Sequence, residues 1–522
     1  MNIFIQTSLL LLLLLFLLAC SSEVTIPNKD ESFSASSSLN RSSFPKGFVF
    51  GTASSSYQYE GAANEGGRGA SIWDTFVQRY PEKIKDHSSG LQAIDSYHRY
   101  KEDVGIMKDI GLDAHRLSIS WSRLLPNGRI SGGVNKDGIK YYNDLINELL
   151  SNGMQPFVTL FHWDLPQALE DAYGGFLSPK IVADFEEYAE LCYKEFGDRV
   201  KHWLTLNEPL SFTTLGYGSG TFAPGRCSQW ISPSCGGGDS STEPYLVGHN
   251  QLLAHAAAVH IYKSKYQISQ KGQIGIALNV PWMVPLSQSV ADQDAANRAL
   301  NFMYGWFMEP IKSGTYPAEM AAYVQERLPK FSKRQSSMLK GSFDFIGLNY
   351  YSASYVANGT CGKENQLAVS TDSCVVFSVP INTGYEYFLS TQVTIQGLAS
   401  QAASDWLYIY PKGIEDLLLY TREKFNNPVI YITENGVDEL NNGQLSLNDS
   451  TRIDYFVRHL SFIQSAIKKG ATVKGYFAWS LLDNFEWVDG YTVRFGIVYV
   501  DYKDGLRRYL KDSAKWFKRF LH

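Results

Sequence analysis

Two glutamates stand out among the 522 residues for what surrounds them. Glu208 sits in Thr205-Leu206-Asn207-Glu208-Pro209, and Glu434 in Ile432-Thr433-Glu434-Asn435-Gly436. Each closes a run of apolar and β-branched residues, so each is carried at the end of an expected strand. A pair of carboxyl groups suffices to cleave a glycosidic bond. One donates a proton to the leaving oxygen while the other attacks the anomeric carbon, and a separation of ~5–5.5 Å goes with retention of configuration. At neutral pH the two must differ in protonation, so their surroundings must push their pKa values apart. Arg116, at the end of another expected strand, would set a fixed cation beside Glu434 and suit it to attack. Glu208, buried and facing a second carboxylate, would keep its proton until the sugar is bonded to the protein. It would then turn base and activate water.

Other expected strand ends carry groups of matching type. Gln58, His162, Asn207 and Asn349 offer amides and an imidazole for hydroxyl groups, with Tyr351, Glu486 and the indoles Trp479 and Trp487 beside them. An aromatic face stacks on the apolar face of a sugar ring. The fifth run, ending near Asn279, supplies nothing of this kind. A single strand-end glutamate could equally be half of a salt bridge; the whole set converging on one mouth fits a pyranose. No metal or organic cofactor is expected: the histidines lack zinc-type spacing, and His249, His255 and His260 fall along one helix, on its surface or in the core.

These side chains need a frame that brings strand ends together. Eight apolar runs recur along the chain, at Phe48–Ser56, Ala114–Trp121, Gln155–His162, Val200–Glu208, Gln273–Asn279, Phe343–Tyr351, Pro428–Glu434 and Val473–Ser480. Between them lie segments of helical period. Tyr97, Tyr100, Val104 and Met107 lead to a stop at Gly111, and Ile139, Tyr142, Leu145 and Leu149 lead to one near Gly153. Ser178-Pro179 opens a further helix, proline being harmless in the first turn. Eight strand–helix alternations predict parallel strands with helices outside, and eight strands allow closure into a (β/α)8 barrel, an α/β fold with the chemistry at the C-terminal ends of the strands. An open doubly wound sheet is the alternative; the absence of a glycine-rich phosphate loop after the first strand argues against it. The long loops around 216–245 and 355–405 should roof the site rather than form a second domain.

Composition limits the partners. A formal net charge of −5 and a pI near 6.1 give no basic stripe for nucleic acid or an anionic membrane. Residues 1–22 read as a signal peptide, their apolar run falling short of the ~20 residues that span a bilayer. Residues 23–43 read as a flexible serine-rich leader and 44–522 as the catalytic domain. Secretory entry is therefore expected, with the apoplast or vacuole as destination. Beyond Cys20, the pairs Cys227/Cys235 and Cys361/Cys374 lie in Gly/Ser-rich loops where disulfides are expected in an oxidising compartment. Cys192 follows Ile181, Phe185 and Tyr188 at helical spacing and reads as a buried free thiol. Asn40, Asn358 and Asn448 head N-x-[ST] sequons in polar stretches.

The segments around Glu208 and Glu434 resemble the acid/base and nucleophile signatures of glycoside hydrolase family 1, the β-glucosidases. FVFGTASSSYQYEG at 48–61, HRLSISWSR at 115–123, TLFHWDLPQAL at 159–169 and GYFAWSLLDNFEWVDGYTVRFGIVYVD at 475–501 extend the resemblance over the whole chain from Phe44. APGRC at 223–227, with a second cysteine eight residues on, resembles the plant branch, of cyanogenic or isoflavonoid glucosidase type, and implies a Cys227–Cys235 disulfide. The resemblance implies a retaining mechanism with Glu208 as acid/base and Glu434 as nucleophile, oriented by Tyr351 and Arg116. It implies a terminal glucose bound by Gln58, His162, Asn207 (at its 2-hydroxyl), Asn349 and Glu486. Trp487 would bond a hydroxyl, Trp479 would stack beneath the ring, and Trp406 would wall an aromatic aglycone. The implied partner is a small-molecule β-glucoside, with self-association into a homo-oligomer left open. His115 and Leu117 stand where the family commonly has aromatic residues, and Val488 follows Trp487 where relatives vary; Thr213, Leu215 and the 380–400 loop are expected to line the aglycone mouth. Disaccharide glycosides, glucosyl transfer, hydroxyisourate hydrolysis at the same carboxylates, and sugar binding without catalysis are the competing readings.

Overall fold

Parallel strands buried on both faces are largely apolar, and although Ala114–Ser118 buries His115, Arg116 and Ser118, so are most of the eight runs. In the computed structural model, which describes residues 39–363, 366–378 and 401–522, they form β1 (Val49–Ala53), β2 (Ala114–Ser118), β3 (Gln155–Phe161), β4 (His202–Asn207), β5 (Gln273–Asn279), β6 (Phe345–Asn349), β7 (Ile430–Asn435) and β8 (Val473–Ala478). Each pairs in parallel with its sequence neighbour, and β8 returns to β1, closing the barrel. The signal-peptide segment, most of the leader and the 380–400 loop lie outside the described residues.

The barrel is filled, not hollow. Phe157 of β3 stacks on His202 of β4 at 4.0 Å and meets Tyr431 of β7 and Phe477 of β8. Phe345 of β6 reaches the same Tyr431. Contacts between strands that are not neighbours can only cross the interior, so these rings form a floor beneath the catalytic mouth.

Helices cover the outside. Ser96–Ile110 ends at Gly111, whose φ of +88° suits a residue without Cβ. Lys136–Ser151, Lys180–Phe196 and Glu243–Ile261 follow β2, β3 and β4. Cys192 is buried and free in the third of these; His255 is buried in the fourth, bonding Thr205 of β4 through Nδ1 at 2.6 Å.

The expected strands overshoot at their C-terminal ends. Their polar tails turn instead into short helices, Ser56–Tyr59 after β1 and Trp121–Leu124 after β2. Gln58 therefore stands on a helical turn and not on the first strand. The long loops carry structure: Ala353–Asn358, Val375–Ser378 and Trp282–Pro285 make a three-stranded sheet, and Cys227–Cys235 and Cys361–Cys374 are disulfide-bonded. Asn40, Asn358 and Asn448 are exposed. The folded body runs from Asn40 to His522. Arg41, inside the stretch read as leader, donates to both oxygens of Asp113 at 2.9 Å. Among the described residues no helix is long and apolar enough to cross a membrane.

Candidate active site

The pairing register slips where the two glutamates emerge. The β4–β5 ladder shifts between Leu204 and Asn207, and the β6–β7 ladder between Ile432 and Glu434. Such irregularities re-aim side chains at a strand's end. Glu208 then takes φ +43°, ψ 63°, a left-handed conformation that costs an L-residue about 1–2 kcal/mol. The turn is held by its amide, which donates to Ala277 of β5 at 2.8 Å. Pro209, pre-set for a first helical position, starts the helix Pro209–Tyr217 immediately afterwards.

Glu208 and Glu434 both line a cavity of about 610 Å³ at the C-terminal mouth of the barrel, a volume suited to a small organic ligand. Glu434 is clamped at both oxygens: Arg116 Nη1 donates to Oε1 at 2.5 Å and the Tyr351 hydroxyl to Oε2 at 2.7 Å. Glu208 accepts from Asn349 Nδ2 at 2.7 Å on Oε1 and from Ser211 Oγ at 2.8 Å on Oε2. Burial, and then the Glu434 charge, push the Glu208 carboxyl up to about 7; the bonds from Asn349 and Ser211 and the Arg116 charge oppose this. A group near 7 carries a proton on about half the molecules at neutral pH, as a general acid requires.

Asn207 ties the two halves together. Its Oδ1 accepts from Arg116 Nη2 at 2.6 Å and Asn349 Nδ2 at 3.1 Å, while its Nδ2 meets His162 Nε2 at 2.9 Å. Thr433 fixes the far end of Asn349 by donating to its Oδ1 at 2.6 Å. Burial and the nearby Arg116 charge lower the His162 pKa well below the usual value, so the ring is neutral. With Nε2 accepting, its proton sits on Nδ1, which has no partner among the described residues. Glu486 Oε1 is likewise buried without a partner. Burial and the Asp438 charge raise the Glu486 pKa well above the carboxylate range. One ring nitrogen and one carboxyl oxygen are thus set to take ligand hydroxyls.

Of the residues singled out in the sequence, His162, Glu208, Asn349, Tyr351, Trp406, Glu434, Trp479, Glu486 and Trp487 stand on the cavity wall. Arg116, Asn207 and Gln58 are buried and bonded to the wall residues Glu434, His162 and Glu486. Gln58 differs most from expectation, because its amide is spent on protein groups: it accepts from Ser55 and donates to Asn484, the Phe485 carbonyl and Glu486 Oε2. Here it orients Glu486. Trp479 lies near-parallel to His162 at 6.1 Å. Trp406, half exposed, sets its ring edge-on to Tyr351 at 5.7 Å on the outer wall. Leu215 lines the mouth as expected and Val488 joins it, but Thr213 does not. The helix after Glu208 turns Thr213 inward to Gln251 at 2.6 Å and presents Thr214 to the cavity. His115 is buried between Thr52 and Ser54, away from the cavity.

Two residues with a place in the site were not foreseen, Ser211 and Asn279. Ser211 stands three residues beyond Glu208, one helical turn, and that spacing was a usable signal. Asn279 ends β5, the strand that offered no chemistry; its Nδ2 donates to Ser211 at 2.9 Å.

Residues 40–522 match the profile of glycosyl hydrolase family 1. The chain belongs to that family. Curated relatives of this family 1 enzyme include β-glucosidase 12 of Oryza sativa, 60% identical over 487 residues, with 92% of this chain and 93% of the relative covered. Another is β-glucosidase 13 of Arabidopsis thaliana, 55% identical over 515 residues, covering 98% and 97%. Among solved structures, a mutant rice β-glucosidase in a covalent complex with glucose superposes with a TM-score of 0.88 at 49% identity, covering 93% of this chain and 100% of that one. The family 1 chain is an O-glycosyl hydrolase of the plant β-glucosidase kind.

Proposed function

We propose that this enzyme removes terminal β-D-glucosyl residues from glucosides of plant secondary metabolites by a two-step retaining mechanism. Glu434 attacks the anomeric carbon while Glu208 protonates the glycosidic oxygen, so the aglycone leaves and a glucosyl ester of Glu434 forms. Glu208, now ionised, takes a proton from water. The hydroxide attacks the same carbon, the ester breaks, and glucose departs with its β configuration. Arg116 and Tyr351 hold Glu434 for in-line attack.

The observation that carries this reading is the asymmetry of two carboxyl groups on one cavity: Glu434 is gripped by a cation and a phenol, Glu208 is raised to about 7. The covalent glucose complex of the rice relative supports the ester step. His162 Nδ1 and Glu486 Oε1 would bind the glucose hydroxyls, Trp479 would lie beneath the ring, and Asn207 would serve the 2-hydroxyl. Outward, Leu215, Val280, Met303, Trp406 and Phe495 make an apolar wall suited to a phenolic or terpenoid aglycone. Entry by a signal peptide at 1–22, residence in the apoplast or vacuole, and glycans at Asn40, Asn358 and Asn448 complete the reading, and the two disulfides suit such a compartment.

The test is trapping. A 2-fluoroglucoside should add one fluoroglucosyl mass to a peptide containing Glu434, and Glu434→Gln should abolish both labelling and turnover. Labelling elsewhere, or turnover by Glu434→Gln equal to wild type, would refute the mechanism. A panel of natural glucosides ranked by kcat/KM then assigns the aglycone.

A further inference from the structure

We propose that Ser211, oriented by Asn279, is the positioning residue that aims the acid proton of Glu208 at the leaving-group oxygen; this deepens the mechanism above and rests on it. Ser211 occupies the first turn of the helix after Glu208 and donates its one hydrogen to Glu208 Oε2 at 2.8 Å. Asn279 Nδ2 donates in turn to Ser211 Oγ at 2.9 Å. Both residues line the same cavity as Glu208, whose wall also includes Leu215, Val280 and Met303.

The direction of this chain follows from the chemistry of its groups. An amide nitrogen can only donate, so Ser211 Oγ accepts from Asn279 and its hydrogen is left for the carboxyl. Asn349 Nδ2, also restricted to donation, holds the other carboxyl oxygen at 2.7 Å. With a donor on each oxygen, neither neighbour invites the acid proton to itself. The hydrogen of protonated Glu208 is therefore left to a lone-pair direction that neither donor occupies, and Glu208 lines the cavity that can receive it. Were Asn279 reversed, its Oδ1 would draw the serine hydrogen away and Ser211 would become an acceptor competing for the Glu208 proton. Asn279 Oδ1 is buried with no partner among the described residues, so it is also placed to meet a donor on the leaving group.

The same bond bears on when the proton is held. Glu208 faces Glu434 from β7, Arg116 from β2, Tyr351 from the end of β6, and the neutral ring of His162 from β3. Among these influences the Ser211 bond works against burial and against Glu434, favouring the ionised carboxylate. Losing it raises the affinity of Glu208 for its proton and loosens the direction in which that proton is delivered.

The experiment compares an alkyl β-glucoside, whose leaving group needs a proton, with a dinitrophenyl β-glucoside, whose leaving group does not. Ser211→Ala should lower kcat/KM for the alkyl substrate about tenfold, the scale of one hydrogen bond to a charged group, and leave the dinitrophenyl substrate within about twofold. The basic limb of its kcat/KM profile should move to higher pH. Ser211→Thr, which restores the hydroxyl, should recover both properties. An unmoved limb, or an equal loss on both substrates, overturns the proposal. Should Ser211→Ala fail to fold, Asn279→Leu serves: a loss confined to the alkyl substrate supports the relay, and no such selectivity overturns it. Glu208→Gln on the same pair separates the two levels. A flat response there sinks the assignment of Glu208 as the acid; a steep response there with a flat one for Ser211→Ala sinks this inference alone.

Discussion

The Tyr351 hydroxyl donates to Glu434 Oε2 at 2.7 Å, on the oxygen that Arg116 leaves free. A donor on each oxygen fixes the carboxylate, so attack on an anomeric carbon needs no rotation of the nucleophile. Burial and the Glu434 charge raise the Tyr351 pKa well above its usual value, so the phenol keeps its proton through the working range.

Removing either donor should therefore slow chemistry without unseating the sugar. Tyr351→Phe should lower kcat/KM about 10- to 100-fold, the scale of a hydrogen bond to an ionised group. Arg116→Lys should cost at least as much, because a lysine cannot hold Glu434 and Asn207 at once as the guanidinium does. Glucose inhibition constants should change far less than kcat. An inhibition constant weakened in proportion to kcat would show that these residues serve binding instead.

The basic limb of activity belongs to Glu208. It acts as an acid in its protonated form, and its value of about 7 means the active fraction falls as pH rises through neutrality. Stopped or steady-state kinetics with an alkyl glucoside should give a kcat/KM profile declining above about pH 7. Glu208→Gln should abolish that limb, and added azide should restore turnover of a dinitrophenyl glucoside by replacing the base-activated water. A limb that survives in Glu208→Gln would assign it to another group.

Much of this site could be read in the linear chain, for a physical reason. Strands covered on both faces are apolar runs, and the abrupt polar residue ending each run is the one exposed at the barrel mouth. Glu208, Glu434, His162 and Asn349 were found that way. What could not be read depends on rotation and depth. The left-handed turn at Glu208 sets the phase of the following helix, which is why Thr214 and not Thr213 faces the cavity. Gln58 is the right type of residue near the right strand end, but Ser55, Asn484 and Glu486 claim its amide from three directions. Asn279 acts through Ser211, and a residue that works through another carries no signature of its own.

Trp406 offers a separate handle on substrate choice. Its ring is half exposed on the outer wall and meets Tyr351 edge-on, so it should contact the aglycone and leave the glucose alone. Trp406→Ala should raise KM for aryl glucosides several-fold while the rate of the second step, common to all glucosides, stays unchanged. A large aromatic contact contributes on the order of 1 kcal/mol, or about fivefold. Burst kinetics with two aglycones would resolve the steps. An altered second-step rate would place Trp406 in contact with the sugar.

The raised carboxyl of Glu208 also makes a prediction about stability. Its folded value is about 7 against 4.5 for an ordinary glutamate, so between these values the folded chain keeps a proton that the unfolded chain has released. Stability rises with pH only where the unfolded state binds more protons; here it binds fewer. The contribution is therefore full below about pH 4.5 and is lost as pH climbs to about 7, with an upper bound of about 3 kcal/mol. Glu208→Gln carries no charge at any pH and escapes the loss. Its Tm, compared with that of wild type, should be similar at pH 5 and higher at pH 8, by on the order of 1–3 °C. A difference independent of pH would mean that Glu208 gains no protonation on folding. The basic limb of activity would then need another owner.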